Sequence, residues 1–106
     1  MSPLLKRYMD FVAEHTHTEP GIKTDLLGPV GLSGEAGEVL ELFKKHHLHG
    51  KPLDKEKLVN ELGDVFWYFT RILINEEITL VDVIYTNMEK LNNRPVSHYK
   101  KGENNV

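Results

Sequence analysis

Leu4, Leu5, Tyr8, Phe11 and Val12 recur at intervals of three and four residues, a period that predicts an amphipathic helix over about Pro3 to Glu14. The stretch "HTHTEPGIKTDLLGPVG" that follows loses this period and is rich in Thr, Gly and Pro. It predicts a long connection over residues 15–31, of the length found in functional loops or ordered packing segments. A second helix is expected from about Pro29 to His47, ended by "HGKPLD", in which Gly50 and Pro52 mark a turn and Asp54 is placed to cap the next helix. The third, about Lys55 to Asn75, is the most apolar, with Leu58, Leu62, Val65, Phe66, Phe69, Ile72 and Leu73 on its expected core face. Thr79-Leu80-Val81-Asp82 is a capping-box variant that opens a fourth helix to about Asn92; Pro95 ends it before a polar tail over about 95–106. No segment alternates as a strand would. The pattern predicts an all-α, four-helix-bundle-like fold in one domain spanning 1–106, and the short links between helices two, three and four favour antiparallel neighbours.

Two of these helices carry an odd feature at the same place. "SGEAGEVLEL" and "NELGDVFWYF" both contain Glu-x-Gly-acid: Glu35-Ala36-Gly37-Glu38 and Glu61-Leu62-Gly63-Asp64. Glycine inside a helix costs about 1 kcal/mol relative to alanine. At about 100° per residue, Leu32, Ala36, Val39, Leu42 and Phe43 centre near 65° from Glu35, and Glu38 falls at about 300°. The second segment repeats this phase: its apolar positions centre near 60° from Glu61, with Asp64 again at about 300°. The acids therefore run as a ridge along the same edge of each apolar stripe, and antiparallel packing through those stripes lets the ridges meet.

Four carboxylates brought together repel one another and are driven to protonate. A hard divalent cation such as Mg²⁺ relieves this, since it prefers carboxylate oxygens from a few side chains together with water and phosphates. Acids at i and i+3 lie on one side of a helix, within reach of one ion or two close ones. Gly37 and Gly63 then acquire a candidate purpose, as clearance for another helix or a ligand. An isolated acidic pair at this spacing is common on solvated helix faces; the matched second pair argues for metal binding. The histidines do not join it: His46 lies about 16 Å along the helix axis from Glu35 and suits a helix C-terminus instead. Glu14-x-x-His17 matches half of a ferritin-like di-iron signature, but the second half is missing.

Composition narrows the partners. The 106 residues are 40% hydrophobic and 27% charged, with a net charge of −3 and no cysteine. Without thiols there is no disulfide or thiolate metal site, which fits a reducing compartment. The N-terminus lacks a signal-peptide pattern, and the longest apolar or aromatic run, Val65–Phe69, is far shorter than a membrane span needs. These features point to the cytoplasm, with no membrane partner. Basic residues never run longer than two, so no nucleic-acid partner is expected, and a polyanionic ligand would need positive charge supplied locally.

The segments "GLSGEAGEVLELFKKH", "LVNELGDVFWY" and "NMEKLNNR" resemble the MazG-like, all-α nucleoside triphosphate pyrophosphohydrolases over roughly residues 28–94. That family's motif is Glu-x-x-Glu followed on the next helix by Glu-x-x-Asp; its leading acid is Gly34 here. The resemblance implies Mg²⁺, with Mn²⁺ as a substitute, held by Glu35, Glu38, Glu61 and Asp64. It implies that Lys90 and Arg94 bind the triphosphate, with Asn87 and Tyr68 as nucleotide contacts, and that Trp67 is a packing or partner residue. The reaction it implies is hydrolysis of a (deoxy)nucleoside triphosphate to the monophosphate and pyrophosphate, with Glu35 or Glu38 as base, in clearing the nucleotide pool. The family's Tyr-Pro-x-Gly after the basic pair is displaced here to Tyr99 and Gly102.

A bundle of this size buries a limited core alone, so a homodimer or homotetramer is expected. The alternative reading is a catalytically inactive helical interaction module that retains the bundle. All four acids are present, and a binding module has no need for them.

Overall fold

The computed structural model describes residues 2–15 and 24–93. They form four helices: α1 (Pro3–Glu14), α2 (Thr24–His49), α3 (Lys55–Glu76) and α4 (Leu80–Asn92). No strand occurs among the described residues, so the fold is all-α as expected. The Arg94 position and the tail, with Tyr99 and Gly102, lie outside them, as does the His17 considered for iron.

Local chemistry fixes most of the helix ends. The Ser2 hydroxyl accepts from Leu5 N at 3.2 Å with Pro3 in the first turn, and Asp54 Oδ1 accepts from Lys57 N at 3.1 Å. The Thr79 hydroxyl accepts from Asp82 N at 3.1 Å, the expected cap of α4. Each satisfies a backbone donor that the first helical turn leaves without a carbonyl. α3 ends at Glu77, which takes the left-handed conformation (φ 56°), while Ile78 N donates to Leu73 O at 3.0 Å.

α2 departs from the sequence reading. It begins at Thr24, so Pro29 lies inside it and half of the expected connection is helical. Tertiary packing explains the difference. α2 and α3 run antiparallel, with Gly28 against Ile72 and Gly31 against Tyr68. A Cβ on Gly28 would stand 2.6 Å from Ile72 Cγ1, and one on Gly31 would overlap the Tyr68 ring. These close contacts hold the first turns of α2 on α3 despite the proline. Gly37 and Gly63 do not serve this purpose: a Cβ at either meets nothing within 4 Å. Clearance for another helix of this chain is therefore provided by Gly28 and Gly31.

α1 crosses α3 through aromatic contact, with the Tyr8 and Phe66 rings stacked at 5.3 Å and Phe66 in turn 5.9 Å from Phe69. Val12 and Leu73 are buried, and so are Thr70 and Arg71, which the apolar pattern does not mark. Thr70 donates its hydroxyl to Phe66 O at 2.7 Å, and the Arg71 guanidinium lies over the Trp67 ring at 5.1 Å. Both groups thereby gain partners away from water. Conversely, Leu62 is 49% exposed and Ala36 and Phe43 also face outward, against their expected core positions. α4 has no buried residue, and no other described helix packs along it. The expected antiparallel neighbour relation therefore holds for α2 and α3 and fails for α4. Its Val81, Ile84, Tyr85 and Met88 are 44–65% exposed, with no other described helix packed over them. No helix among the described residues is long and apolar enough to cross a membrane.

Candidate metal centre

The antiparallel register that sets Gly31 on Tyr68 brings the next turns of α2 and α3 together at their acids. Glu35 from α2 and Glu61 and Asp64 from α3 each offer a carboxylate oxygen, all within 4.8 Å of one another. Glu35 and Glu61 are partly buried and Asp64 is exposed. Glu38, also exposed, follows one turn after Glu35 and falls outside this three-oxygen group.

The electrostatics are those of crowded anions. Partial burial pushes the Glu35 carboxyl up from its ordinary value, and a hydrogen bond with Glu61 and the charges of Asp64, Glu61 and Glu38 add to it. A hydrogen bond between two carboxyls requires a proton on one of them. A divalent cation would relieve this repulsion. Tyr8 responds similarly: burial raises its phenol, with the negative charge of Asp64 adding to the effect.

These donors fit a hard cation. They are all carboxylate oxygens, their mutual spacing suits a shared ion, and the upward shift of Glu35 is what crowded negative charge produces. Glu35 and Asp64 also border a pocket of ≈ 450 Å³ whose other walls are Phe11, Trp67 and Tyr68. Carboxylates on one side and aromatic rings on the other can hold a ligand with a charged end and a flat end.

Of the residues singled out in the sequence, the structure thus groups the carboxylates of Glu35, Glu61 and Asp64, sets Glu35, Asp64 and Tyr68 on one pocket, and leaves Glu38 one turn along α2 from Glu35. Asn87 and Lys90 are exposed on α4, which contributes nothing to the lining. Trp67, expected as a packing or partner residue, lines the pocket while carrying Arg71. Phe11 and Tyr8 were not legible as site residues. Their spacing marks an apolar face of α1 and carries no signal that this face meets the acids.

A family model described as the MazG nucleotide pyrophosphohydrolase domain matches residues 29–97. The match takes in both acidic pairs and the Asn87, Lys90 and Arg94 positions, and leaves α1 outside. No curated protein and no solved structure matches the chain. With most of its length covered by that domain, and with the acidic pairs on adjoining antiparallel helices, the chain belongs to the MazG nucleotide pyrophosphohydrolase family.

Proposed function

We propose that this chain is a Mg²⁺-dependent pyrophosphohydrolase that cleaves (deoxy)nucleoside triphosphates to the monophosphate and pyrophosphate, acting in the cytoplasm to clear non-standard or excess nucleotides. The observation that carries the reading is the grouping of the Glu35, Glu61 and Asp64 carboxylates within 4.8 Å beside an aromatic-lined pocket. Mg²⁺, or Mn²⁺ in its place, would be held by these three and by Glu38, and when bound supplies charge neutralisation for phosphate oxygens and acidifies water.

The chain's own residues divide the remaining work. Glu38, exposed one turn along α2 from Glu35, would accept the proton of the attacking water, with Glu35 as the second candidate base. Attack at the α-phosphorus forms the new P–O bond of the monophosphate and breaks the bond to the bridging oxygen, which leaves with pyrophosphate. Phe11, Trp67 and Tyr68 provide flat surfaces for the base and exclude water from one side of the pocket. Lys90 and Arg94 hold the leaving phosphates, with Asn87 one turn before Lys90 as a further contact.

Lys90 does not line the pocket of its own chain, so in this reading it reaches the phosphates within a homodimer or homotetramer. The uncovered apolar face of α4 gives such an assembly its contact surface. An inactive interaction module would also use that face, but it gives no reason for carboxylates that destabilise one another in the absence of a cation.

The test is a panel of ribo- and deoxynucleoside triphosphates incubated with Mg²⁺, Mn²⁺ or chelator, following pyrophosphate release. Metal-dependent release that Glu38→Gln and Asp64→Asn each abolish supports the reading. Failure to turn over any nucleotide, or turnover indifferent to both substitutions, refutes it.

A further inference from the structure

Away from the acids, the connection between α2 and α3 forms a groove of ≈ 580 Å³ lined by Lys45, Lys51 and Lys57 together with Leu42, Pro52, Leu53 and Asp54. That volume lies within the range of about 300–1,000 Å³ typical of small-ligand pockets. The lysines come from three backbone positions: the end of α2, the connection, and the first turn of α3. None of the three is ion-paired among the described residues, whereas the neighbouring Lys44 is held by Glu41 at 3.3 Å. The one acid in the lining, Asp54, has Oδ1 engaged with Lys57 N as the α3 cap. The lining thus sets three ammonium groups against one carboxylate, which leaves it net positive.

The backbone that presents Lys51 is fixed rather than loose. Gly50 takes a left-handed turn (φ +66°), Lys51 N donates to Lys45 O at 3.3 Å, and the His46 ring nitrogen Nδ1 contacts Lys51 O at 2.7 Å. Lys51 is thereby folded back over the last turns of α2. The N-terminus of α3 adds its partial positive charge at the same end. The groove starts one turn beyond the acids: Lys57 lies about 6 Å along α3 from Glu61, and Lys45 about 15 Å along α2 from Glu35. In a chain with net charge −3, this is a local concentration of unpaired positive charge beside half-buried leucines.

We propose that this groove is a second, metal-independent anion site that takes a phosphate group carried by pyrophosphate or by a nucleotide. Three lysines lining one groove from separate backbone positions suit a multiply charged, many-oxygened anion better than a single carboxylate, since each ammonium acts as a point charge free to choose its oxygen. Leu42, Pro52 and Leu53 offer an apolar wall to a sugar or base attached to that phosphate.

The full chain is titrated in EDTA, at constant ionic strength, with inorganic pyrophosphate and separately with a nucleoside monophosphate, reading amide shifts by ¹⁵N–¹H NMR. EDTA silences the metal centre, so the outcome is independent of whether the chain hydrolyses nucleotides. Saturable shifts at Gly50, Lys51, Leu53 and Lys57 are expected with at least one of the two ligands, and which one responds identifies the source of the phosphate. The double substitution K51Q/K57Q should weaken binding at least about fivefold, while K44Q leaves it unchanged. Shifts confined to α4 or to the acidic residues would overturn the proposal. So would shifts unaffected by K51Q/K57Q, or no saturable shift at the groove with either ligand.

Discussion

Glu35 sits where three other carboxylates and partial burial all disfavour its charge. Its raised pKa sets the sign of a pH effect. Below the ordinary value of 4.5 the group is protonated in both folded and unfolded chains and contributes no difference. As pH rises through the window above 4.5, the unfolded chain releases the proton while the fold retains it, so the metal-free fold loses stability. Glu35→Gln should therefore raise the melting temperature of the metal-free protein near pH 7 by about 2–4 °C and flatten its pH dependence. Thermal melts from pH 4 to 8 in chelator check this, and the same variant should lose the stabilisation that Mg²⁺ gives the parent chain. Asp64→Asn and Glu38→Gln should each lower kcat by about 100-fold or more with the helical circular dichroism unchanged. The acids were readable from sequence because their phase is a local property of each helix. Phe11 and Tyr8 were not, because only the crossing of α1 over α3 brings them near Asp64.

At the scale of elements, the glycines separate into two kinds that composition does not distinguish. Gly31 lies under the Tyr68 ring, so Gly31→Ala should destabilise by about 1–3 kcal/mol and disturb the side of the pocket that Tyr68 forms. Gly37 faces open space within the chain, so Gly37→Ala should stabilise the metal-free fold by about 0.5–1 kcal/mol. Urea unfolding of the two variants in chelator gives both values, and turnover of Gly37→Ala reports whether a ligand needs the space. Helices α1, α3 and α4 were legible because their ends are set by short-range capping at Ser2, Asp54, Thr79 and Glu77. The start of α2 was not, since Pro29 reads as a helix beginning. Only the distant Ile72 and Tyr68 supply the packing that extends the helix upstream of it.

For the whole molecule, the outward apolar residues of α4 are the main departure from a closed bundle. Leaving Val81, Ile84, Tyr85 and Met88 in water forgoes burial that stabilises by about 25 cal/mol per Å². Assembly through this face recovers it, and Ile84→Asp should shift the protein to monomers in analytical ultracentrifugation while α2 and α3 remain folded. If Lys90 acts on a neighbouring copy's pocket, mixing Lys90→Ala with Asp64→Asn subunits should restore activity that neither variant has alone. The small core makes an oligomer an expectation of the sequence; the structure adds a candidate face for it, the side of α4 that no other described helix covers.

The central claim is that the acidic group on α2 and α3 makes this chain a metal-dependent enzyme acting on the bond between the α- and β-phosphates. Phosphorus NMR of a deoxynucleoside triphosphate incubated with the protein and Mg²⁺ tests it most directly. The account predicts paired growth of the monophosphate and pyrophosphate resonances that stops on addition of EDTA. Orthophosphate with the diphosphate, products that continue to grow in EDTA, or an unchanged spectrum across the nucleotides tried would contradict it.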